Sequence, residues 1–73
     1  MKTYVTFGQD HIHRINGTIF DSKCVAVIEG EDAENNRAKA FNLFGPRFAF
    51  EYPEDYFDMG SMRFYPRGLI NVE

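Results

Sequence analysis

Two histidines separated by one residue, His11 and His13, are the side chains of this sequence best suited to chemistry, and they are its only histidines. Because side chains alternate across a strand with a period of two, both imidazoles are predicted to lie on one face of a strand. The dipeptide Asn16-Gly17 follows closely and is typical of the two-residue turn of a β-hairpin. The sequence therefore predicts two imidazoles on the first strand of a hairpin.

These histidines are candidate metal ligands together with Cys24, because imidazole and thiolate groups are the ligands that zinc and related metals prefer. Asp10 or Asp21 would be further ligands. A structural zinc site needs four protein ligands, and two histidines with one cysteine supply three unless a carboxylate or a second chain joins them. We therefore expect half-exposed strand histidines, with no bound metal and no other cofactor.

The same side chains also suggest thiol catalysis, with Cys24 as the nucleophile and His11 or His13 as the base. The chain has no Gly-rich phosphate loop, no Gly-x-Ser-x-Gly elbow and no paired-carboxylate motif, and its length leaves little room for a substrate pocket. Cys24 begins an apolar run, where cysteine is most often a small buried hydrophobic residue. We expect no enzymatic activity and no catalytic residue.

The length of 73 residues predicts a single domain spanning residues 1–73, and a chain of this size buries only roughly 60% of its unfolded surface. Eight Phe and four Tyr residues can build a compact core from few positions. A homodimer or an unknown protein partner is the alternative source of buried area. The formal net charge of −3 argues against general attraction to nucleic acid or anionic membranes.

A single cysteine cannot form an intramolecular disulfide, which favours a reducing compartment. The first residues, Met1–Thr6, lack the apolar core of a signal peptide, and no apolar run approaches the length of a membrane span. We expect a cytoplasmic protein that does not enter a membrane.

Periodicity predicts the order of elements. A strand over residues 3–7 ends at a bend at Gly8. In the hairpin, the turn would pair Ile15 with Thr18, Arg14 with Ile19 and His13 with Phe20. The run 24–28 is apolar on both faces and predicts a central strand covered on both sides. A helix should begin after Asp32 and end at Gly45-Pro46, with an apolar stripe of Ala33, Ala40, Phe41 and Phe44.

The alternation of Phe48, Phe50 and Tyr52 predicts a strand with one aromatic face. A brief helix with Pro53 at its first position should then end at Gly60, and residues 62–72 should form two extended pieces around a Pro66-Arg67-Gly68 turn. The fold class is α+β. We expect a small single-layer sheet of about four strands, in the order ββ-β-α-β, with one main helix packed across it.

Four side chains are the candidate binding residues: Arg37, Arg63, Tyr65 and Arg67. Arg37 falls inside the helical stripe, where it can extend to water, stack on an aromatic ring or pair with Glu51, or else face a protein partner. The C-terminal third combines Arg47, Arg63 and Arg67 with four aromatic residues, a composition that single-stranded nucleic-acid binders use. Glu51, Glu54, Asp55 and Asp58 lie in the same stretch and disfavour that function.

Residues 4–13, Asn16-Gly17, Phe20-Asp21 and the run 24–28 together resemble small uncharacterised proteins encoded by bacteriophages and prophages. The resemblance covers roughly the first third of the chain and implies no catalytic residue or cofactor. It implies a short accessory protein that acts by binding a host protein, for example as a modulator of a defence system. A protein-binding function is therefore the first expectation, with nucleic-acid binding and a metal site at His11 and His13 as alternatives.

Overall fold

The chain forms a four-stranded sheet, a separate two-stranded hairpin and an α-helix, as seen in a computed structural model that describes residues 1–72. No helix in that range is long and apolar enough to cross a membrane. The elements in chain order are β1 (Lys2–Thr6), β2 (His13–Ile15), β3 (Thr18–Phe20), β4 (Cys24–Glu29), α1 (Ala33–Phe44), β5 (Phe50–Pro53), 3₁₀ helices over Glu54–Tyr56 and Met59–Phe64, and β6 (Gly68–Asn71).

The four-stranded sheet has the order β5-β1-β4-β6, with β1 antiparallel to both of its neighbours and β6 parallel to β4. This arrangement confirms the predicted α+β class with one main helix. It differs from the predicted single sheet because β2 and β3 form a sheet of their own. The bend after β1 turns the chain out of the main sheet before the hairpin begins.

The strand β4 is covered on both faces, as its apolar run predicts, and its first five residues are buried. Cys24, Ala26 and Ile28 face the helix, where they form one core cluster with Val5 of β1 and Phe44 of α1. The alternate residues of β4 face the opposite side, where they form a second cluster of Tyr4, Val25, Val27 and Phe57. The sheet therefore separates two cores, one under α1 and one under the segment that follows β5.

The helix α1 begins and ends where the sequence predicts. The Asp32 side chain accepts a hydrogen bond from the Asn35 N–H at 2.8 Å, and Gly45 at φ 62° ends the helix by donating its N–H to the Phe41 carbonyl. The predicted stripe was partly wrong. The buried residues of α1 are Asn36, Ala40 and Phe44, spaced four residues apart. Asn36 was not in the predicted stripe, and Phe41, which was, is 44% exposed.

The hairpin has the predicted register, with His13 opposite Phe20 and Ile15 opposite Thr18. Asn16 and Gly17 have φ angles of 51° and 82°, as a type I′ turn requires. The placement of His11 on this strand was wrong, because β2 begins at His13. His11 lies instead in a turn, in which its N–H donates to the Gly8 carbonyl at 3.0 Å.

The C-terminal third departs furthest from its predicted elements. Phe48 precedes β5 rather than lying within it, and Pro53 is the last residue of β5. Gly60 lies inside the second 3₁₀ helix instead of ending the first one, and residues 62–64 belong to that helix rather than to an extended piece. Only the second predicted piece is a strand, because β6 takes it into the main sheet beside β4.

Candidate functional site

The His11 imidazole is engaged by the turn in which it lies. Its Nδ1 atom accepts a hydrogen bond from the Gly8 N–H at 2.9 Å, and the main-chain bond between the same two residues closes the turn. The Nδ1 lone pair is therefore not available to a metal unless the turn opens. The arrangement assigns His11 a structural part in the bend after β1.

His13 lies against the core beneath α1. Its ring centroid is 5.0 Å from that of Phe44 and 5.7 Å from that of Phe7, and its Nε2 lies 2.7 Å from the Arg47 carbonyl oxygen. A carbonyl oxygen only accepts, so Nε2 carries the hydrogen and donates it. The imidazole thus covers the edge of the aromatic cluster and ties the hairpin to the loop after the helix.

Cys24 is fully buried at the start of β4, and its Sγ lies 3.6 Å from the Asp21 carbonyl oxygen. Burial raises the pKa of the thiol, an effect that the hydrogen bond to Asp21 and the nearby charge of Arg67 partly oppose. The protonated thiol is therefore the favoured form, which suits neither a nucleophile nor a metal ligand. Within residues 1–72, no group of three or more His, Cys, Asp and Glu side chains is placed to hold a metal ion.

The binding candidate Arg67, and Arg47 of the nucleic-acid alternative, hold loops together through main-chain carbonyl groups. Arg67 donates from Nη1 to the Ile19 carbonyl at 2.7 Å and lies 3.2 Å from the Asp21 carboxylate. Arg47 donates from Nη2 to the Asp10 carbonyl at 2.9 Å. These bonds join the hairpin region to the C-terminal half of the chain, so both guanidinium groups have structural partners.

Arg37 projects from α1 toward β5, where it makes both of the contacts that the sequence allows. Its guanidinium lies 5.7 Å from the centroid of the Phe41 ring, and its Nε is 3.9 Å from a carboxylate oxygen of Glu51. The Arg37 side chain is nevertheless 64% exposed. Screening by water makes such an ion pair weak, so Arg37 stays accessible to a partner.

The second 3₁₀ helix presents Arg63 and turns Tyr65, just after it, inward. The Arg63 guanidinium lies 4.9 Å from the centroid of the Phe64 ring, and Tyr65 packs against the second core together with Met62. The two binding candidates of this segment therefore differ. Arg63 is exposed, whereas Tyr65 is half-buried and supports the segment from beneath.

Exposed apolar side chains are concentrated between residues 56 and 64. Tyr56 is 79% exposed, Phe64 is 64% exposed and Met59 is 53% exposed. Phe57 and Met62, between them in sequence, pack against the sheet and hold the segment in place. We call Tyr56, Met59, Arg63 and Phe64 the 56–64 surface. Of these four, only Arg63 was a predicted binding residue, because the aromatic residues of so short a chain were expected to build its core.

Comparison with known proteins adds no further site. Neither a protein-family model, nor a curated protein, nor a solved structure matches this chain.

Proposed function

We propose that this chain is a small non-enzymatic binding protein whose protein partner docks on the 56–64 surface. The observation that carries the proposal is the exposure of Tyr56, Met59 and Phe64 within nine consecutive residues. Tyrosine, phenylalanine, methionine and arginine are enriched at protein interfaces, where a few such side chains supply most of the binding free energy. A segment packed against the sheet presents them in a preorganised form, which lowers the entropic cost of binding.

The charges around this surface indicate the chemistry of the partner. Glu54 and Asp55 precede this surface in sequence and Asp58 lies within its span, and all three are exposed. Residues 54–64 therefore carry three acids against the single base Arg63. Complementary potentials favour association. The partner surface that fits is an apolar pocket with basic groups at its rim.

The same charges favour a protein partner over single-stranded nucleic acid. Arg47 and Arg67, two of the three arginines that such binding would use, donate to main-chain carbonyl groups. The remaining arginine, Arg63, belongs to a segment with three exposed acids, whose negative charges repel phosphate. The resemblance to bacteriophage proteins supports a host protein as the partner, bound in the cytoplasm, where the single free thiol of Cys24 is compatible with reducing conditions.

Capture with surface variants tests the proposal. The double variant Tyr56→Ser/Phe64→Ser and the control double variant Ile12→Ser/Phe41→Ser each remove two exposed apolar side chains, on different parts of the molecule. Immobilised wild type and control should retain the same protein from a bacterial host extract, and the 56/64 variant should lose it. Direct titration of that purified protein should show at least a tenfold loss of affinity for the 56/64 variant alone.

Two outcomes contradict the proposal. Equal retention by wild type and the 56/64 variant would place the interface elsewhere. Captured material that disappears after nuclease treatment would identify the partner as nucleic acid.

A further inference from the structure

The strand β5 is an edge of the main sheet, and its outer side has no strand partner within residues 1–72. Its register with β1 sets Tyr52 opposite Tyr4 and Glu51 opposite Val5. In an antiparallel pair, successive residues alternate between those that hydrogen-bond to the neighbour and those that turn their main-chain groups away. Pro53 indicates which residues of β5 turn away from β1. Proline has no N–H, so it fits the positions that do not donate a hydrogen bond to the neighbouring strand.

Pro53 therefore belongs to the set that faces away from β1, and Glu51 belongs to the same set. The neighbouring strand agrees with this assignment. The Gly30 N–H donates to the Met1 carbonyl at 3.0 Å, so the main-chain groups of Met1 face β4. The next residue, Lys2, directs its N–H to the opposite side, toward β5, and donates to the Glu54 carboxylate at 3.2 Å. Glu51 consequently directs its N–H and C=O outward from the sheet edge.

We propose that this edge pairs with the same edge of a second copy of the chain, antiparallel across a two-fold axis at Glu51. The two Glu51 residues would exchange two main-chain hydrogen bonds and join the two sheets into one of eight strands. On one face, Phe50 of each copy would lie opposite Tyr52 of the other. Such non-hydrogen-bonded pairs bring side chains closest, and aromatic pairs there are favourable.

The side chains of this edge are self-complementary, which is what a two-fold interface requires. Phe50 is 62% exposed, and its ring centroid lies 6.0 Å from that of Tyr52, so the two rings already form one apolar strip. On the helix face, Arg37 lies beside Glu51 in each copy. Around the two-fold axis, the two Glu51 carboxylates would alternate with the two Arg37 guanidinium groups. Each Glu51 would then lie near its own Arg37 and the Arg37 of the other copy.

The test uses the outward direction of the Glu51 N–H. The variant Glu51→Pro removes that donor without removing a bond to β1, and proline is tolerated at such positions of edge strands. The variant Glu51→Ala is the matched control, because it also removes the carboxylate but keeps the N–H. Analytical ultracentrifugation from micromolar to submillimolar concentration should show a wild-type dimer. Its dissociation constant should rise a few-fold in Glu51→Ala and by roughly a further tenfold or more in Glu51→Pro.

Disulfide trapping provides a second measurement. Cα atoms of a hydrogen-bonded antiparallel pair lie about 5.5 Å apart, within the range that a disulfide spans. Oxidised Glu51→Cys protein should cross-link to a dimer, whereas Leu69→Cys on the exposed opposite edge should stay monomeric. A wild type that sediments as a monomer at every concentration would overturn the proposal, as would equal association of the proline and alanine variants or equal cross-linking at both positions. The pairing rests on Phe50, Glu51 and Tyr52, none of which belongs to the 56–64 surface, and the two proposals are tested with different variants, so either can fail alone.

Discussion

Cys24 shows how burial turns a reactive residue type into a packing residue. Its thiol is fully buried beneath α1, and burial raises its pKa. The folded state therefore holds the thiol proton more tightly than the unfolded state does. This contribution to stability is fully present below the pKa of an unfolded cysteine, about 8.5, and is lost as the pH rises through the higher pKa of the folded state.

We accordingly predict that the free energy of unfolding of the wild type falls relative to that of Cys24→Ala between pH 8 and pH 10, as measured by urea denaturation. Replacing the sulfur should cost roughly 1 kcal/mol near neutral pH, and this difference should shrink in alkali. A thiol reagent should modify the native protein only at the rate of unfolding. Rapid labelling without denaturant would show that Cys24 is accessible.

Gly30 is a residue whose missing side chain leaves room for a buried amide. A Cβ atom at position 30 would collide with the Oδ1 atom of Asn36, which is fully buried and donates from Nδ2 to the Met1 carbonyl at 2.9 Å. The Oδ1 atom has no hydrogen-bond partner among the described residues and lies against the glycine main chain. The amide therefore cannot move aside without losing its bond.

The variant Gly30→Ala should lower the free energy of unfolding by roughly 1–3 kcal/mol. Gly8→Ala is the control, because a Cβ there meets its nearest atom at 3.4 Å, an ordinary contact. In a double-mutant cycle, Asn36→Ala should cost less in the Gly30→Ala background than in the wild type. If the losses of unfolding free energy in the two single variants simply add in the double variant, Gly30 and Asn36 do not interact and the explanation is wrong.

At the scale of elements, the helix cap is the local feature with the clearest energetic expectation. Asp32 accepts the Asn35 N–H, and its carboxylate also lies at the positive end of the helix dipole. Asp32→Ala should lower the free energy of unfolding by about 0.5–2 kcal/mol, whereas Glu31→Ala, one residue earlier, should change it by less than about 0.5 kcal/mol. Thermal denaturation measures the stability of both variants. Equal losses of unfolding free energy in Asp32→Ala and Glu31→Ala would argue against the cap.

Elements specified by local chemistry could be predicted from sequence, and those specified by distant contacts could not. The register of the hairpin follows from Asn16-Gly17, because these residues tolerate the positive φ angles of the turn. The ends of α1 follow from Asp32 and Gly45 for similar local reasons. The position of β1 between β4 and β5 depends on pairings across most of the chain, which no short pattern encodes.

The candidate site divides in the same way. Arg37 makes the contacts with Phe41 and Glu51 that helical spacing and composition suggested. The carbonyl partners of Arg47 and Arg67 lie 37 and 48 residues away in sequence, so their structural use could not be anticipated. The burial of Asn36 was indicated only by its spacing of four residues from Ala40, because polar residues are usually assigned to the exposed face of a helix.

At the scale of the whole molecule, the two cores depend on different parts of the chain. Phe57 is 9% exposed and lies 4.8 Å from the Tyr4 ring and 5.6 Å from the Tyr52 ring, measured between centroids. Phe57→Ala should cost roughly 3–5 kcal/mol, a large fraction of the stability of a small domain, whereas Phe41→Ala on the exposed helix surface should cost about 1 kcal/mol or less. Urea denaturation measures both, and a small loss for Phe57→Ala would mean that the core under α1 alone sustains the fold.

The strand order of the main sheet has a kinetic consequence. Each of its three strand pairs joins segments far apart in sequence, such as Tyr4 with Tyr52 and Cys24 with Gly68. Each of these pairings costs loop-closure entropy before apolar burial can stabilise it. The hairpin costs less, because only two residues separate its strands. Stopped-flow refolding should therefore take milliseconds to seconds despite the short chain, and microsecond refolding would contradict this expectation. Until these pairings form, the apolar strand β4 remains unpaired and can associate with other chains, which makes dilute refolding conditions advisable.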